Sequence, residues 1–490
     1  MPGSSSRPQR GTRVPSDHDA FAPLFMPRVV AVVGASATGI NLGNEFIRHT
    51  QALKFTGRII PVHPTAATIE GLPAVKSLSD IDGPVDFAYI SVKADDAPSM
   101  MASGAGKVRY AQVVSSGFRE SGTGQALEQR LVAAARSAGT RLLGPNSLGT
   151  YSPRGRISFI GQASDECGNV AVIAQSGGLG ADVILRGQNR GLRYRAVVTL
   201  GNSADVGPVE MIEHFLGDAD TKVIGLYAED IGDGRAFFRV LRGNGGRKPV
   251  VVLLGGQTDQ GSKAAASHTG SLVTGTQIWK GIVRQTGIVL VQTLDEFLDV
   301  LLAFQTLTPH RGTPTRRCVL FGNGGGTSVL AADAFDRHGL ALLPIGKRAL
   351  DRFAALKLFP GTSVENPIDT PITTLRQKNG DIAHDILRIL LEEGDADAVV
   401  MHLNLTMFVG SADQTVDFLR NVMTSVFRAH EHPSPHTHLL LVLRTDGSEA
   451  VDKRRREFRA EAVQRGVPVY DELVNAAVAL TGLAGFERHG

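Results

Sequence analysis

Residues 28–43 read RVVAVVGASATGINLG: a short β-branched apolar run, a glycine turn and the start of a helical pattern. The same unit recurs as NVAVIAQSGGLGADVI at 169–184 and as RRCVLFGNGGGTSVLAADAF at 316–335. A strand that is apolar throughout, rather than alternating, is covered on both faces and suits a parallel sheet with helices on either side. Further strand candidates, separated by helical patterns, follow each opening. They are GRIIPVHP, DFAYISV, YAQVVSSG and RLLGPN in the first block, RAVVTLG, KVIGLYAE and KPVVVLLGG in the second, and DAVVMHLN and THLLLVLR in the third. This alternation predicts an α/β fold of three doubly wound parallel-sheet domains. Weakly patterned segments at 152–168 and 308–315 set their limits at 27–160, 166–308 and 315–485.

The chain has 490 residues, 42% hydrophobic and 20% charged, a globular composition long enough for three domains. One Trp and six Tyr argue against a sugar-binding or base-stacking platform. The net charge of +3, from 51 basic and 48 acidic residues, is too balanced for an obligate partner of nucleic acid or of a membrane surface. Cys167 and Cys318 are too few for a disulfide framework or a four-cysteine zinc site, which predicts a cytoplasmic protein. Residues 1–26 are rich in Pro, Ser and Arg and have no apolar segment of signal-peptide type. They read as a flexible tail, with Phe21 to Phe25 docking on the first domain. The most apolar run, VVVLL at 250–254, stops at two glycines, far short of a membrane span.

Each glycine turn between a strand and a helix presents backbone N–H groups to an anion and lets a ligand approach the chain closely. In the first, Gly34 to Gly39, the spacing is not G-x-G-x-x-G. The second strand ends Val62-His63-Pro64 without the acid that a nicotinamide dinucleotide would need. The loop from Gly256 to Lys263 resembles a Walker A sequence, but Ser262 follows its second glycine where a lysine belongs. No local His, Cys or acidic spacing implies a tightly held metal. His268 stands in Ala-Ala-Ala-Ser-His-Thr-Gly-Ser, a loop of small residues that leaves an imidazole unobstructed. Glu229 closes the strand KVIGLYAE at the carboxyl edge of a parallel sheet, where ligands bind in such folds. A carboxylate accepting from Nδ1–H would leave Nε2 as a nucleophile. A His packed in its loop and a Glu capping a turn are the structural alternatives.

Nine motifs in order resemble the NDP-forming acyl-CoA synthetases, the superfamily of the succinyl-CoA synthetases, and within it the α subunits of the ADP-forming acetyl-CoA branch. They are GASATG (34–39), SSGFRESG (115–122), LGPNSLG (143–149), AQSGGLG (174–180), LGNSADV (200–206), LYAEDI (226–231), AAASHTGSL (264–272), FGNGGGTSVLAADAF (321–335) and NPID (366–369), and the likeness covers about residues 22–485. The resemblance implies a Rossmann-like CoA-binding domain followed by two flavodoxin-like ligase domains. It implies that His268 is a phosphohistidine with Glu229 as its carboxylate partner. It places coenzyme A against Gly34, Ser36, Ala37, Thr38, Gly39, Val114, Ser115, Ser116 and Asn146. It places phosphate at two helix starts, Ser176-Gly177-Gly178 and Asn323-Gly324-Gly325-Gly326. It also implies a separate ATP-grasp β subunit that holds ATP or ADP with Mg²⁺, in an α₂β₂ assembly, or a homodimer of this chain when alone.

The chain departs from the family pattern at three places. His63-Pro64-Thr65-Ala66 lacks the lysine often found near the CoA phosphates, and Val252 to Gln257 lacks the V-L-K-x-G-R run of the acetyl branch. Ala181 stands where the succinyl enzymes place a tyrosine, which argues against succinate and leaves the carboxylic acid open. The leading expectation is the reaction acid + CoA + ATP ⇌ acyl-CoA + ADP + phosphate. The competing readings are a carbamoyl- or acyltransferase on the same architecture, a non-catalytic CoA sensor, and a Ser–His hydrolase on Ser176, which lacks a G-x-S-x-G elbow.

Overall fold

The computed structural model describes residues 20–269, 276–393, 395–409, 417–431 and 434–489. Three largely parallel sheets follow one another along the chain. The first runs, in spatial order, Arg58–Val62, Val29–Val33, Val85–Ile90, Val108–Val113 and Arg141–Leu143. The second runs Val289–Val291, Val250–Leu254, Val223–Ala228, Val170–Ala174 and Tyr194–Thr199, and ends on the short strand Thr150–Tyr151. The third runs Ala341–Leu342, Arg317–Gly322, Ala398–Asn404, His438–Arg444 and Val469–Tyr470, with Ile368–Asp369 also pairing onto Arg317–Gly322.

The strands form because their residues are β-branched or apolar and are covered on both sides. Val85–Ile90 and Val170–Ala174 are buried at every position. Counted within each domain, the five main strands of all three sheets take the spatial order 2-1-3-4-5. The order reverses between the first and third strand, and in open α/β sheets ligands bind outside that switch point, at the carboxyl ends of the strands. The three glycine turns recognised in the sequence all follow first strands, so one topological rule puts each of them at its sheet's switch point.

Two features refine the predicted limits. Thr150–Tyr151 lies within the span assigned to the first domain but pairs antiparallel with Val197 and Val198 of the second sheet. The segment expected to dock on the first domain does so, against Val85–Ile90 and Val108–Val113, and also reaches the second domain. The Phe21 ring sits 5.4 Å from Tyr110 and 5.1 Å from His214, and Phe25 stacks on His214 at 5.3 Å. Residues 1–19 lie outside the described residues. The second and third sheets are joined by the helix Leu473–Glu487, which packs along Leu294–Thr306 with Phe304 and Phe486 edge to face at 5.5 Å. Among the described residues no helix is long and apolar enough to cross a membrane.

Candidate functional site

Gly34 ends the first strand with φ of +89°, and the turn after it is built from side chains. Asn41 Nδ2 donates to Gly34 O at 2.7 Å, and Asn44 Oδ1 accepts from Ser36 N at 2.8 Å. Ser36 Oγ accepts from the N–H groups of Thr38 and Gly39 at 3.2 and 3.0 Å. Ala37, Thr38 and Gly39 form an exposed crest. The helix begins at Leu42 rather than at Gly39, because Asn41 is its N-cap and accepts from Gly43 N and Asn44 N. The N–H groups of Ser36, Thr38 and Gly39, which the sequence reading assigned to a ligand, are thus held within the turn by Asn44 and Ser36. At the end of the second strand, His63 Nδ1 accepts from Thr65 N and Ala66 N at 3.2 and 2.9 Å. A neutral His63 therefore carries its proton on Nε2.

Val114 is buried, Ser116 is exposed, and Ser115 Oγ donates to Val92 O. Asn146 N donates to Ser115 O at 2.9 Å, and the Asn146 side chain reaches Asn202 Oδ1 at 3.4 Å. Asn146 thereby ties the first sheet's edge to the loop after Tyr194–Thr199. Beside it, a cavity of about 300 Å³ opens between the two domains, lined by Arg119, Gln175, Asn202, Glu210 and Asp230 among others.

At the second switch point, Ser176 caps the helix Gly177–Asn189 by accepting from Leu179 N at 3.3 Å. Gly178 faces open space, whereas a side chain at Gly177 would meet Leu148 at 2.6 Å. Sequence reasoning passed over Gln175. Its Oε1 accepts from Glu229 N and Asp230 N at 2.6 and 2.9 Å, and its Nε2 donates to Asp230 O at 2.5 Å. The glutamine in AQSGG was visible, but its role depends on which strand lies beside it. Tyr227 was also missed. Its hydroxyl donates to Glu229 Oε1 at 2.8 Å, and burial, followed by the nearby Glu229 charge, pushes the phenol well above its ordinary range. Tyr227 is therefore a fixed donor to Glu229 Oε1 at the sheet edge.

His268 falls in the helix Asp259–Thr269, not in the loop the sequence suggested. The run Lys263 to Ala266 consists of strong helix formers, and Asp259 favours the first turn through the helix dipole. The His268 side chain lies outside the described residues, as do residues 270–275. The backbone still locates the segment. Val250–Leu254 pairs in parallel with Val223–Ala228, Gly255 N donates to Ala228 O at 2.9 Å, and a side chain at Gly255 would touch Glu229 Cγ at 3.0 Å. The His268 helix starts a few residues beyond this point and packs against the turn Arg119–Ser121 of the first domain.

At the third switch point, Asn323 is buried and its Oδ1 accepts from Asn404 N at 2.9 Å, bridging the first and third strands. Gly324, Gly325 and Gly326 are exposed at the start of the helix Gly325–Arg337. A carboxylate already faces this helix start, since Gly324 N donates to Asp369 Oδ1 at 3.0 Å. Arg444, at the carboxyl end of its strand, donates to Thr327 Oγ1 at 2.7 Å and adds a cation beside the turn that sequence reasoning did not find. Next to them, burial, with the Arg444 charge second, lowers His402 to about 4, so the imidazole is neutral at physiological pH.

Comparisons with known proteins agree with this arrangement. A family described as a CoA binding domain matches residues 28–153, and one described as a succinyl-CoA ligase like flavodoxin domain matches residues 167–304. The chain is 31% identical over 389 residues to the α subunit of acetate–CoA ligase (ADP-forming) II of Pyrococcus furiosus, covering 79% of this chain and 83% of that one. It is 34% identical over 358 residues to the α subunit of isoenzyme I from the same organism, covering 71% and 75%. The structure of a dinucleotide-forming acetyl-coenzyme A synthetase 1 from Ca. Korarchaeum cryptofilum, in complex with phosphate and ADP, superposes with a TM-score of 0.81 at 28% identity, covering 96% of this chain and 97% of that one. With its three sheets, its switch-point glycine turns and this degree of identity, the chain belongs to the family of ADP-forming acyl-CoA ligase α subunits.

Proposed function

We propose that this chain is the CoA-binding, phosphohistidine-carrying α subunit of a cytoplasmic acyl-CoA ligase, catalysing acid + CoA + ATP ⇌ acyl-CoA + ADP + phosphate with a separate ATP-grasp β subunit. The observation that carries the reading is the meeting of two domains: the helix bearing His268 packs on Arg119–Ser121, a few residues after Ser115 and Ser116, while the strand before it runs beside Val223–Ala228, which leads into Glu229. Coenzyme A would lie along the exposed crest Ala37 to Gly39 and the edge from Val114 to Ser116, with Gly34 and Ser36 shaping the turn and Asn146 at the domain junction.

In the acid-forming direction, phosphate attacks the thioester carbonyl and the CoA thiolate leaves, giving an acyl phosphate. His268 attacks phosphorus, the carboxylate leaves, and the phosphorylated imidazole passes its phosphoryl group to ADP on the partner. Such transfers depend on positioning and on stabilising charge on the equatorial oxygens. Ser176, Gly177 and Gly178 would hold the phosphoryl group in one position, and Asn323, Gly324, Gly325 and Gly326 in another, each at the positive end of a helix longer than three turns. Glu229 would orient the imidazole by accepting from its second nitrogen. Mg²⁺ and the nucleotide belong to the ATP-grasp partner, in an α₂β₂ assembly.

The direct test is co-expression with an ATP-grasp subunit and a screen of carboxylic acids with CoA, ATP and Mg²⁺. The chain without that subunit is expected to bind CoA, measured by calorimetry, but to form no acyl-CoA from ATP. Turnover by the purified chain alone would overturn the division of labour. Silence at millimolar CoA would overturn the assignment of the first domain.

Tyr227→Phe isolates the carboxylate. It removes one hydrogen bond to a charged group, worth about 1.5–3 kcal/mol, so phosphorylation of His268 should slow by roughly 10–100-fold. CoA affinity should not change, because Tyr227 lies in the second domain's sheet. Equal phosphorylation rates in the variant and the parent would remove Tyr227 from the mechanism.

A further inference from the structure

The linker between the second and third domains ends against a cluster that no local motif announces. His310 lies on that linker, His438 opens the strand His438–Arg444, and Glu487 closes the helix Leu473–Glu487. The two imidazole rings stack with centroids 3.9 Å apart and planes 7° apart. One nitrogen of each ring and a carboxylate oxygen of Glu487 lie within 4.8 Å of one another. His438 is 6% exposed and Glu487 is fully buried. His438 Nε2 has no hydrogen-bond partner; it faces Glu487 Oε1 at 3.6 Å, beyond hydrogen-bonding range.

A buried imidazole nitrogen without a partner is costly, and so is a buried carboxylate without a cation. Among the described residues no Lys or Arg pairs with Glu487. Its oxygens accept from His310 N at 2.7 Å and Thr315 N at 2.6 Å. The result is a buried carboxylate and two imidazoles, one half-buried on a loop, with each carboxylate oxygen retaining a second lone pair.

We propose that His310, His438 and Glu487 form a binding site for a divalent first-row transition cation of the zinc class, which pins the interdomain linker to the end of the last helix. Two imidazoles and one carboxylate are a common donor set for such ions, which a harder, oxygen-seeking cation would not choose. Bonds of about 2.0–2.1 Å in a tetrahedron put ligand atoms roughly 3.3 Å apart, so atoms now within 4.8 Å of one another must draw together by up to about 1.5 Å, and the His310 ring must turn out of its stack, because each imidazole lone pair lies in the plane of its own ring. His310 can supply that movement, because the residues around it, 307–316, form no helix or strand. The spacing escapes a motif search because the ligands come from three separate elements. The site uses none of the residues assigned to coenzyme A, phosphate or the phosphohistidine, and it stands whether or not the ligase reading does.

The test uses the full chain, stripped with chelator and titrated with Zn²⁺ and with Co²⁺. The expected result is one tightly bound ion per chain, visible d–d bands of tetrahedral type with Co²⁺, and a rise in melting temperature on adding Zn²⁺. His310→Ala should weaken Zn²⁺ binding by at least tenfold and abolish the Co²⁺ bands, while His436→Ala, at a neighbouring exposed position, should leave both intact. His438→Ala should do the same as His310→Ala. Because it empties a buried position, the loop variant His310→Ala decides the matter if His438→Ala fails to fold. Failure of the stripped chain to take up either ion, or uptake and bands that survive His310→Ala, would overturn the proposal and leave the stacked pair as packing alone.

Discussion

Replacing His268 with alanine should end ligase turnover and remove all acid-labile, base-stable phosphate label, while the fold and CoA binding persist. An imidazole is largely unprotonated near neutral pH, which makes it nucleophilic, and its N–P bond is labile enough to pass the phosphoryl group onward. In a covalent mechanism the loss of the nucleophile takes the rate to background, a drop of more than about 10⁴-fold, because its partners cannot act without it. The structure separates this outcome from simple unfolding. His268 occupies the last turn of the helix Asp259–Thr269, where alanine is the better helix former by a few tenths of a kcal/mol. The variant should therefore melt at or near the parent temperature and bind CoA with the same affinity. Incubation of the complex with labelled ATP, or of the chain with acyl-CoA and labelled phosphate, provides the readout. A folded, CoA-binding His268→Ala protein that still takes label would place the phosphoryl carrier elsewhere.

Much of the architecture was legible because strand burial in a parallel sheet writes itself as unbroken apolar runs. VVAVV, VAVIA and RCVLFG each became the first strand of a sheet, and each glycine turn fell at a switch point. What escaped were features set by neighbours distant in sequence. Nothing local tells that Thr150–Tyr151 joins the second sheet, since two residues carry no period and pairing with Val197 and Val198 decides it. The His268 segment looked like a loop because Ser, His, Thr and Gly dominate its end. The propensity of Lys263 to Ala266 together with packing against Arg119–Ser121 extends the helix through it. Gln175, Tyr227 and Arg444 are ordinary polar residues at strand ends until the sheet order reveals what they face. The glycine turns show a finer limit. A glycine pattern marks a strand-to-helix turn, but it does not say whether the donors point outward or, as at Ser36 and Asn41, are gathered by the loop's own side chains.

That distinction makes Gly34 and Gly39 separable by experiment, although both belong to one motif. Gly34→Ala should cost the first domain about 2–5 kcal/mol and reduce CoA binding at least tenfold. Gly34 has φ of +89°, a region that costs a side-chain-bearing residue roughly 1–2 kcal/mol. An added Cβ would also lie 2.7 Å from Ser91 O and 2.9 Å from Val92 Cγ1, and the first of these is backbone of the adjacent strand's loop, which cannot swing aside. Overpacking of this kind adds roughly 1–3 kcal/mol. Relief would push Gly34 O away from Asn41 Nδ2 and with it the N-cap of the helix Leu42–Ala52, so the crest Ala37 to Gly39 would lose its support. Gly39→Ala is the counterpart. Gly39 has no positive φ, is exposed, and its Cβ would find only Ser36 Oγ at 3.7 Å, so the fold should be unaffected to within about 0.5 kcal/mol. If coenzyme A rests on the crest, Gly39→Ala lowers its affinity by excluding the ligand from the backbone while the melting curve stays that of the parent. Calorimetric titration with CoA beside thermal denaturation of both variants gives the answer. A Gly34→Ala protein of parental stability would refute the steric argument, and a Gly39→Ala protein of parental affinity would move the CoA phosphates off this turn.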